Sequence, residues 1–220
     1  MFPSLWEFGL QLLPWTSYFS TVTVPALCFT SPGIVTVANL AHCLDGYTVP
    51  KDFYTSDTYA NAQPTDLQRV AWRDVVNNLL SVDNIDCTTV TVPSDLTDIY
   101  TIRRFGDYCV LYETTSTSGV YNKGWGFMVV PALRSRITRH LHISAPHPKF
   151  DKNTVEQAAA VFQSTGSNSL LVAGRHRNAY PEVSGCITPY SLTDPAHNKV
   201  SLTWAVFLLR ESGSRIACLS

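Results

Sequence analysis

The stretch RHLHISAPHPKFDKNTVEQAAAVFQSTGSNSLLVAGRHR, residues 139–177, determines the fold that we predict for this chain. It opens with alternating polar and apolar residues, and successive side chains on a β-strand point to opposite faces. His140 and His142 therefore share one face of a predicted strand, and Leu141 and Ile143 share the other. We expect the histidine face to be exposed and the apolar face to be buried.

The end of this strand places a histidine in a loop. Pro146 and Pro148 flank His147, and each proline fixes its own φ and biases the preceding residue toward extended geometry. A helix is predicted to begin near Thr154, because Thr154 and Gln157 have the spacing of a capping box and the alanines that follow favour helix.

A second strand follows this helix. Gly166 lies just past the predicted helix end, and Ser169–Gly174 is a short apolar run typical of a buried parallel strand. Strand, helix and strand form a βαβ unit. Open α/β sheets bind ligands at the carboxyl ends of their strands. We therefore expect the loop of His147 and the loop that contains His176 to meet in space.

The middle of the chain adds further elements. Thr65 and Gln68 form a second capping-box pattern at the start of the clearest helix. Residues 98–105 and 108–114 are predicted antiparallel strands, and residues 125–130 are a third strand. The sequence therefore predicts an α/β fold in which a mixed sheet has a late βαβ unit and helices pack on it in three layers.

Length and composition set the domain organisation. The chain has 220 residues, of which 45% are hydrophobic and 15% are charged, so it can bury one good core. We assign residues 39–198 to a single α/β domain, residues 1–38 to a signal-like apolar segment and residues 199–220 to an atypical tail, which predicts a C-terminally truncated fold. The net charge of −1 argues against a nucleic-acid surface.

The first 38 residues favour export over membrane anchoring. They contain one charged residue, Glu7, and Thr36-Val37-Ala38 has the small-residue character of a signal cleavage site. Several prolines interrupt the apolar residues, so no run reaches the roughly 18 that a membrane span needs. We therefore expect a secreted protein with no stable membrane span and leave its oligomeric state open.

Cysteine usage agrees with an extracellular location. None of the six cysteines forms a Cys-x-x-Cys pair, so disulfides are favoured over a zinc ribbon or a redox motif. We predict two disulfides, in any of three pairings, among Cys43, Cys87, Cys109 and Cys186. Cys109 alternatively fits a small buried hydrophobic residue. Cys28 is expected to be removed or free, and Cys218 to be unpaired.

His147 and Asp151 are the leading candidate metal ligands, with His176 as a third ligand or acid–base group. Imidazole and carboxylate are the ligands that zinc takes in hydrolytic sites. Asp151 also fits a helix cap or an Asx turn, and His176 also fits a polar turn after a strand.

Arginines bracket His176 and suit the binding of a substrate carboxylate. We predict that Arg175 and Arg177 contact the substrate, and that His176 and Arg177 take part in catalysis. Four further residues are secondary candidates, although the first also fits an exposed surface position: His140, His142, Asp194 and His197.

Three motifs of the chain resemble an uncharacterised family of secreted fungal proteins. They are His-x-Ser-Ala-Pro-His-Pro-x-x-Asp at 142–151, Gly-Arg-His-Arg at 174–177 and Asp-Pro-Ala-His at 194–197, and the likeness runs from about Ala41 to His197. That family is distantly similar to zinc-dependent amidohydrolases and carboxypeptidases of the phosphorylase/hydrolase-like fold.

The resemblance implies a division of roles. In those enzymes a histidine and an acidic residue on one loop bind zinc together with a later histidine, and an arginine holds the substrate carboxylate. His147 and Asp151 match the first part, with one more residue between them than in His-x-x-Glu, and Arg175 or Arg177 matches the arginine. The later zinc histidine and the general-base glutamate have no match.

Two functions follow as hypotheses. The first is a secreted metal-dependent hydrolase that acts on an amide or peptide bond near a carboxylate, in a small-molecule or peptide substrate. The second is a non-catalytic, disulfide-bonded extracellular binding or structural protein, which the missing general base favours.

Overall fold

A computed structural model of the chain describes residues 24–183 and 190–197. The α-helices in these residues are α1 Val37–Asp45, α2 Ser56–Ala62, α3 Asp66–Ser81 and α4 Thr154–Thr165. Short 3₁₀ helices occupy Val24–Phe29, Ser94–Leu96 and Arg134–Arg136. The strands are β1 Tyr100–Phe105, β2 Tyr108–Glu113, β3 Phe127–Pro131, β4 Arg139–Ala145 and β5 Ser167–Val172.

The five strands form one mixed sheet in the order β1-β2-β3-β5-β4. The pairs β1–β2, β2–β3 and β3–β5 are antiparallel, whereas β4 and β5 are parallel. Helix α4 connects the parallel pair, since parallel neighbours need a crossover connection. The predicted mixed sheet with a late βαβ unit is therefore confirmed.

Helices cover both faces of the sheet. Val110 of β2 packs in a core cluster with Leu40 of α1 and Phe162 of α4. Leu111, the next residue, points to the opposite face and packs in a second cluster with Trp72 of α3. The predicted three-layer arrangement is confirmed by these two clusters.

The helix starts follow local signals, with one correction. At α3, Thr65 and Gln68 form the predicted capping box, with donor–acceptor distances of 3.0 and 3.2 Å. Helix α4 begins at Thr154 as predicted, but its cap is Asn153, in a left-handed conformation with φ 61°. The Thr154 hydroxyl donates instead to the Asp151 carbonyl at 2.8 Å, so the predicted Thr154 capping box is wrong.

The prediction of one exposed and one buried face on β4 is also wrong. Strand β4 lies at the sheet edge, and its register against β5 shifts between Arg139 and His142. Leu141 is consequently 48% exposed, although it was expected in the core. His142 is partly buried, and its Nδ1 lies 2.7 Å from the Ser169 hydroxyl of β5.

Two disulfides are present, but the predicted set of Cys43, Cys87, Cys109 and Cys186 contains only one of these pairs. Cys87 and Cys109 form a pair that the predicted set allowed, with Cα atoms 5.5 Å apart. Cys28 pairs with Cys43 at a Cα distance of 5.8 Å, so the expectation that Cys28 is removed or free is wrong. The physical reason is that the first 3₁₀ helix packs on α1 and buries Cys28 completely.

The boundary predicted after residue 38 falls inside α1, because Thr36 caps this helix and accepts a hydrogen bond from the Asn39 amide at 3.1 Å. Residues 1–23, the whole tail predicted at 199–220, and Cys186 lie outside the described residues. Two disulfides fit an extracellular protein. Within the described part of the chain, no helix combines the length and apolarity that a membrane crossing requires.

Glu113, at the end of β2, organises the turn that leads into β3. Its buried carboxylate accepts hydrogen bonds from four consecutive backbone amides, those of Lys123, Gly124, Trp125 and Gly126. Burial raises the pKa of Glu113 to about 7, although the four N–H groups favour the carboxylate. Glu113 thus fixes the backbone that precedes β3.

This turn also determines the position of the chain after β5. Gly126 has a φ of 92°, and a side chain there would lie 2.0 Å from the Val172 carbonyl oxygen. Gly174 approaches Gly126 equally closely, since a Cβ atom on Gly174 would lie 2.3 Å from the Gly126 nitrogen. Only glycine permits this contact between backbones.

Replacing Glu113 with Leu should lower the free energy of unfolding by about 3–5 kcal/mol, because four buried N–H groups lose their acceptor at roughly 1–3 kcal/mol each, which outweighs the removal of one buried charge. E113Q keeps one acceptor oxygen and should lose less. Urea unfolding measures both, and Glu182→Gln, at an exposed position, is the control. An E113L variant as stable as the parent chain would contradict this role.

Candidate metal centre

Three chain segments meet beyond the carboxyl ends of β4 and β5. The first is the loop after β4, in which the His147 carbonyl accepts hydrogen bonds from the Phe150 and Asp151 amides at 3.3 and 3.1 Å. Lys149 fixes this loop to the end of α1, since its ammonium donates to the carbonyls of Gly46 and Thr48 at 3.0 and 2.9 Å.

The second segment is the loop after β5. The His176 amide donates to the Val49 carbonyl at 2.8 Å, and the Val49 amide donates to the Gly174 carbonyl at 2.9 Å. The rings of Phe150 and His176 lie 5.4 Å apart, and the Arg177 guanidinium lies 4.8 Å from the Phe150 ring centre. The prediction that the two loops meet is therefore confirmed.

The third segment, residues 190–197, contributes the buried centre of the cluster. The Asp194 amide donates to the Ser191 carbonyl at 3.1 Å, and the His197 amide donates to the Asp194 carbonyl at 3.2 Å. This tight turn points the Asp194 side chain inward, where it is 0% exposed. It also brings the His197 ring back toward the same carboxylate.

Asp194 lies between two histidines. Its Oδ1 is 3.0 Å from Nε2 of His147, and its Oδ2 is 3.0 Å from Nδ1 of His197. One ligand atom from each of the three residues can be chosen so that all lie within 4.8 Å of one another. Among residues 24–183 and 190–197, this is the one group of three such side chains that could hold a metal ion.

Two atoms of this group lack a hydrogen bond. Asp194 Oδ2 and His197 Nδ1 are both buried, and although they lie close together, neither has a hydrogen-bond partner in suitable alignment. Arg177 Nη2 lies 2.6 Å from Asp194 Oδ2 and forms an ion pair with it. Buried polar atoms are normally satisfied, so two neighbouring lone-pair donors without a hydrogen bond form a pair that a metal ion could satisfy.

The protonation states reflect this arrangement. Burial raises the pKa of Asp194, but the neighbouring His147 and His197 and the Ala196 amide lower it more, to about 2. The hydrogen bond to Asp194 raises the pKa of His147 above its usual value, against the effect of burial. Without a metal ion, the pair therefore favours an imidazolium next to a carboxylate.

Asp151, a predicted ligand, contacts the other side of the His147 ring. Its Oδ2 lies 3.1 Å from His147 Nδ1, and its side chain is 45% exposed. A carboxylate on the distal ring nitrogen orients a metal-ligating histidine and fixes its tautomer. The structure thus places Asp151 beside the ligand group and outside it.

His176, predicted as a third ligand, is likewise outside the group. It is 8% exposed, and its Nδ1 accepts a hydrogen bond from the Asn178 amide at 2.9 Å. Burial lowers its pKa, with contributions from Lys51 and Arg177. In the neutral ring the proton therefore lies on Nε2, so His176 can donate a hydrogen bond there but cannot act as a base.

The remaining candidates have separate surroundings. Arg175 is buried near the ring of Tyr59, with its guanidinium 5.8 Å from the ring centre. His140 is exposed on the edge strand, and His142 contacts β5 through Ser169. Arg175, His140 and His142 therefore lie outside the ligand group.

Two members of the ligand group were ranked too low from the sequence, and the aromatic rings beside the group were not predicted. Asp194 and His197 were secondary candidates, and their spacing of three residues was the available signal. Tyr190 stacks on the His197 ring at a centroid distance of 3.6 Å, and Phe150 lies 6.2 Å from the His147 ring. No local pattern distinguishes these two rings from ordinary loop residues.

Comparison of the chain with protein-family models, with curated proteins and with solved structures found no match. The resemblance to secreted fungal proteins stays a prediction.

The pairing of His147 with Asp194 should make stability depend on pH in the metal-free protein. His147 has a raised pKa, so its contribution to the free energy of unfolding is complete below about pH 6.5. This contribution is lost as the pH rises through the pKa of His147 in the folded protein. Asp194 has a lowered pKa, so its contribution is full above about pH 4 and is lost as the pH falls toward 2.

The difference in Tm between the parent chain and His147→Asn, measured with a chelator present, should therefore be largest near pH 5. It should shrink above about pH 7 and below about pH 3. His140→Asn, at an exposed position, should show no such pH window. A His147→Asn difference that stays constant from pH 3 to 8 would rule out the ion pair as a source of stability.

Proposed function

We propose that this chain is an extracellular zinc-dependent hydrolase that acts on an amide or peptide bond near a carboxylate, with His147, Asp194 and His197 as the zinc ligands. The observation that carries the proposal is the buried Asp194 carboxylate between two imidazoles, where one oxygen and one ring nitrogen face each other without a hydrogen bond. Two disulfides support the extracellular location.

The donor set suits zinc better than magnesium or calcium. Imidazole and carboxylate are ordinary zinc ligands, whereas the two harder cations prefer all-oxygen sites. Tetrahedral zinc with bonds of about 2.0–2.1 Å places its ligand atoms about 3.3 Å apart. One ligand atom from each of the three residues lies within 4.8 Å of the others, so a rearrangement of these side chains would bring them to that spacing.

A zinc ion with three protein ligands keeps an open position and supplies a Lewis acid that activates water for hydrolysis. The protein side chains have supporting roles. Asp151 accepts a hydrogen bond from His147 Nδ1 and thereby keeps Nε2 directed at Asp194. Because His176 Nδ1 accepts a hydrogen bond from the Asn178 amide, its Nε2–H is the group that would hydrogen-bond a substrate oxygen.

Arg177 is the proposed substrate clamp. One of its terminal nitrogens pairs with Asp194, and its guanidinium lies 4.8 and 5.7 Å from the ring centres of Phe150 and Tyr190. Its side chain is 20% exposed, so the outer part of the planar group can reach a ligand. A guanidinium held between rings suits bidentate recognition of a carboxylate.

The zinc content of variants tests the ligand set. We expect about one zinc per purified chain, lost in His147→Ala and in His197→Ala, because each removes one of three ligands. His176→Ala should retain the metal, and Asp151→Asn should lower affinity by roughly 10–100-fold. Elemental analysis and competition with a chromogenic chelator measure these values.

His140→Ala is the matched control for loss of an imidazole, since His140 is exposed and outside the group. If His176→Ala loses zinc while His197→Ala keeps it, the proposed ligand set is incorrect. If no variant and no parent chain binds zinc, the metal centre itself is refuted.

Hydrolysis of N-acyl amino acids and of peptides with free carboxyl termini tests the reaction class. Activity should disappear with a chelator and return with zinc. Arg177→Lys should raise KM about tenfold or more for carboxylate substrates, because lysine cannot make a bidentate contact, and should change little for the corresponding amidated substrates. Equal effects on both substrate types would contradict the clamp.

The non-catalytic alternative has one observation in its favour. Arg177 already pairs with Asp194 at 2.6 Å, so a cation balances the buried carboxylate without any metal. In that case the cluster only joins three loops, and zinc affinity should be absent although His147→Ala still lowers stability. The combination of these two results would establish a structural role.

A further inference from the structure

Arg175 is a buried cation that pairs with no carboxylate of the described residues. The residue is 2% exposed, and its Nε and Nη1 atoms are buried without a hydrogen-bond acceptor. No carboxylate in residues 24–183 and 190–197 forms an ion pair with it. A buried charge is costly unless it is paired and hydrogen-bonded, so this position calls for a ligand.

The immediate surroundings favour a positive charge but cannot satisfy its N–H groups. The guanidinium lies 5.8 Å from the Tyr59 ring centre, within the range of a cation–π contact. The Tyr54 hydroxyl donates to the Lys123 carbonyl at 3.0 Å. On another side, the Gly124 backbone packs closely against this residue, because a Cβ atom there would lie 2.8 Å from the Tyr54 hydroxyl and 3.1 Å from the Arg175 Cβ.

A second guanidinium lies near the first. Arg69 of α3 is partly buried; burial and the neighbouring charge of Arg175 lower its pKa, whereas the Asp66 carboxylate raises it. The Arg69 charge therefore acts on Arg175 through a poorly hydrated region, and Asp66 offsets part of it. Tyr59 and Arg69 are both partly exposed, so the region lies just beneath the surface.

We propose that Arg175, Arg69 and Tyr59 form a binding site for a small oxyanion, either a carboxylate or a phosphate group. Such a group would accept hydrogen bonds from Nε and Nη1 of Arg175 and balance the Arg175 charge, with the Tyr59 ring and the Arg69 guanidinium beside it. Arginine is the side chain best suited to this contact, because its planar N–H groups match the oxygens of both anions.

This site is separate from the metal centre and does not depend on the proposed hydrolase function. It adjoins that centre along the backbone, since the Tyr59 hydroxyl donates to the Leu192 carbonyl at 3.0 Å, two residues before Asp194. Arg177, not Arg175, contacts the Asp194 carboxylate. The two arginines that bracket His176 therefore belong to two different sites.

Thermal unfolding of the full chain in acetate, succinate, phosphate or chloride at equal ionic strength tests the proposal. At least one oxyanion should raise Tm in a saturable manner relative to chloride, by about 5–10 °C at a concentration of 100 times its Kd. Response to acetate or succinate alone assigns a carboxylate ligand, and response to phosphate alone assigns a phosphate ligand.

Arg175→Met should abolish this rise, and its Tm in chloride should equal or exceed that of the parent chain, because the unpaired buried charge is gone. Arg73→Met removes one exposed positive charge and should retain the full rise. Arg69→Gln should weaken the apparent affinity about tenfold, which provides a second measurement if Arg175→Met does not fold.

Two outcomes would overturn the proposal: no oxyanion raises the Tm of the parent chain above that in chloride, or the rise persists in Arg69→Gln and Arg175→Met. These measurements use no metal. Failure of the zinc experiments therefore leaves them unaffected, and their failure leaves the metal centre unaffected.

Discussion

The buried carboxylate of Asp194 joins the three loops that form the candidate metal centre. A fully buried charge must be surrounded by donors, and here the donors come from three separate parts of the chain: His147, Arg177 and residues 194–197 themselves. Separating any of these segments would leave the charge unpaired. The geometry of the candidate site is therefore also a stability constraint on the loops that form it.

The topology of the sheet explains why these loops meet. Only the pair β4–β5 is parallel among the described strands, so two carboxyl ends lie side by side at one position of an otherwise antiparallel sheet. Lys149 fixes the first loop to α1, and the glycine contact between residues 126 and 174 fixes the start of the second. Both loops are thus positioned by elements outside the site.

Three buried charged side chains differ in how completely they are hydrogen-bonded and paired. Glu113 receives four backbone amides and has a structural role in the turn before β3. Asp194 receives side chains from several loops but keeps one oxygen without a hydrogen bond. Arg175 has two N–H groups without an acceptor, and its guanidinium lies 5.8 Å from the Tyr59 ring centre. The more incomplete the pairing, the stronger the indication of a ligand.

The sequence by itself determined the fold class, the βαβ unit and the start of α3 and α4, because hydrophobic periodicity, capping residues and Gly166 act over a few neighbouring residues. It also identified His147 as a central residue. Only the tertiary structure decided that Leu141 is exposed, that Cys28 pairs with Cys43, and that Asp194 contacts His147 from 47 residues away.

Asp151 was a natural choice of ligand because it is close to His147 in sequence, yet closeness along the chain does not determine which atoms converge. The ligand group depends on how three loops pack around one buried charge, and no local pattern carries that information.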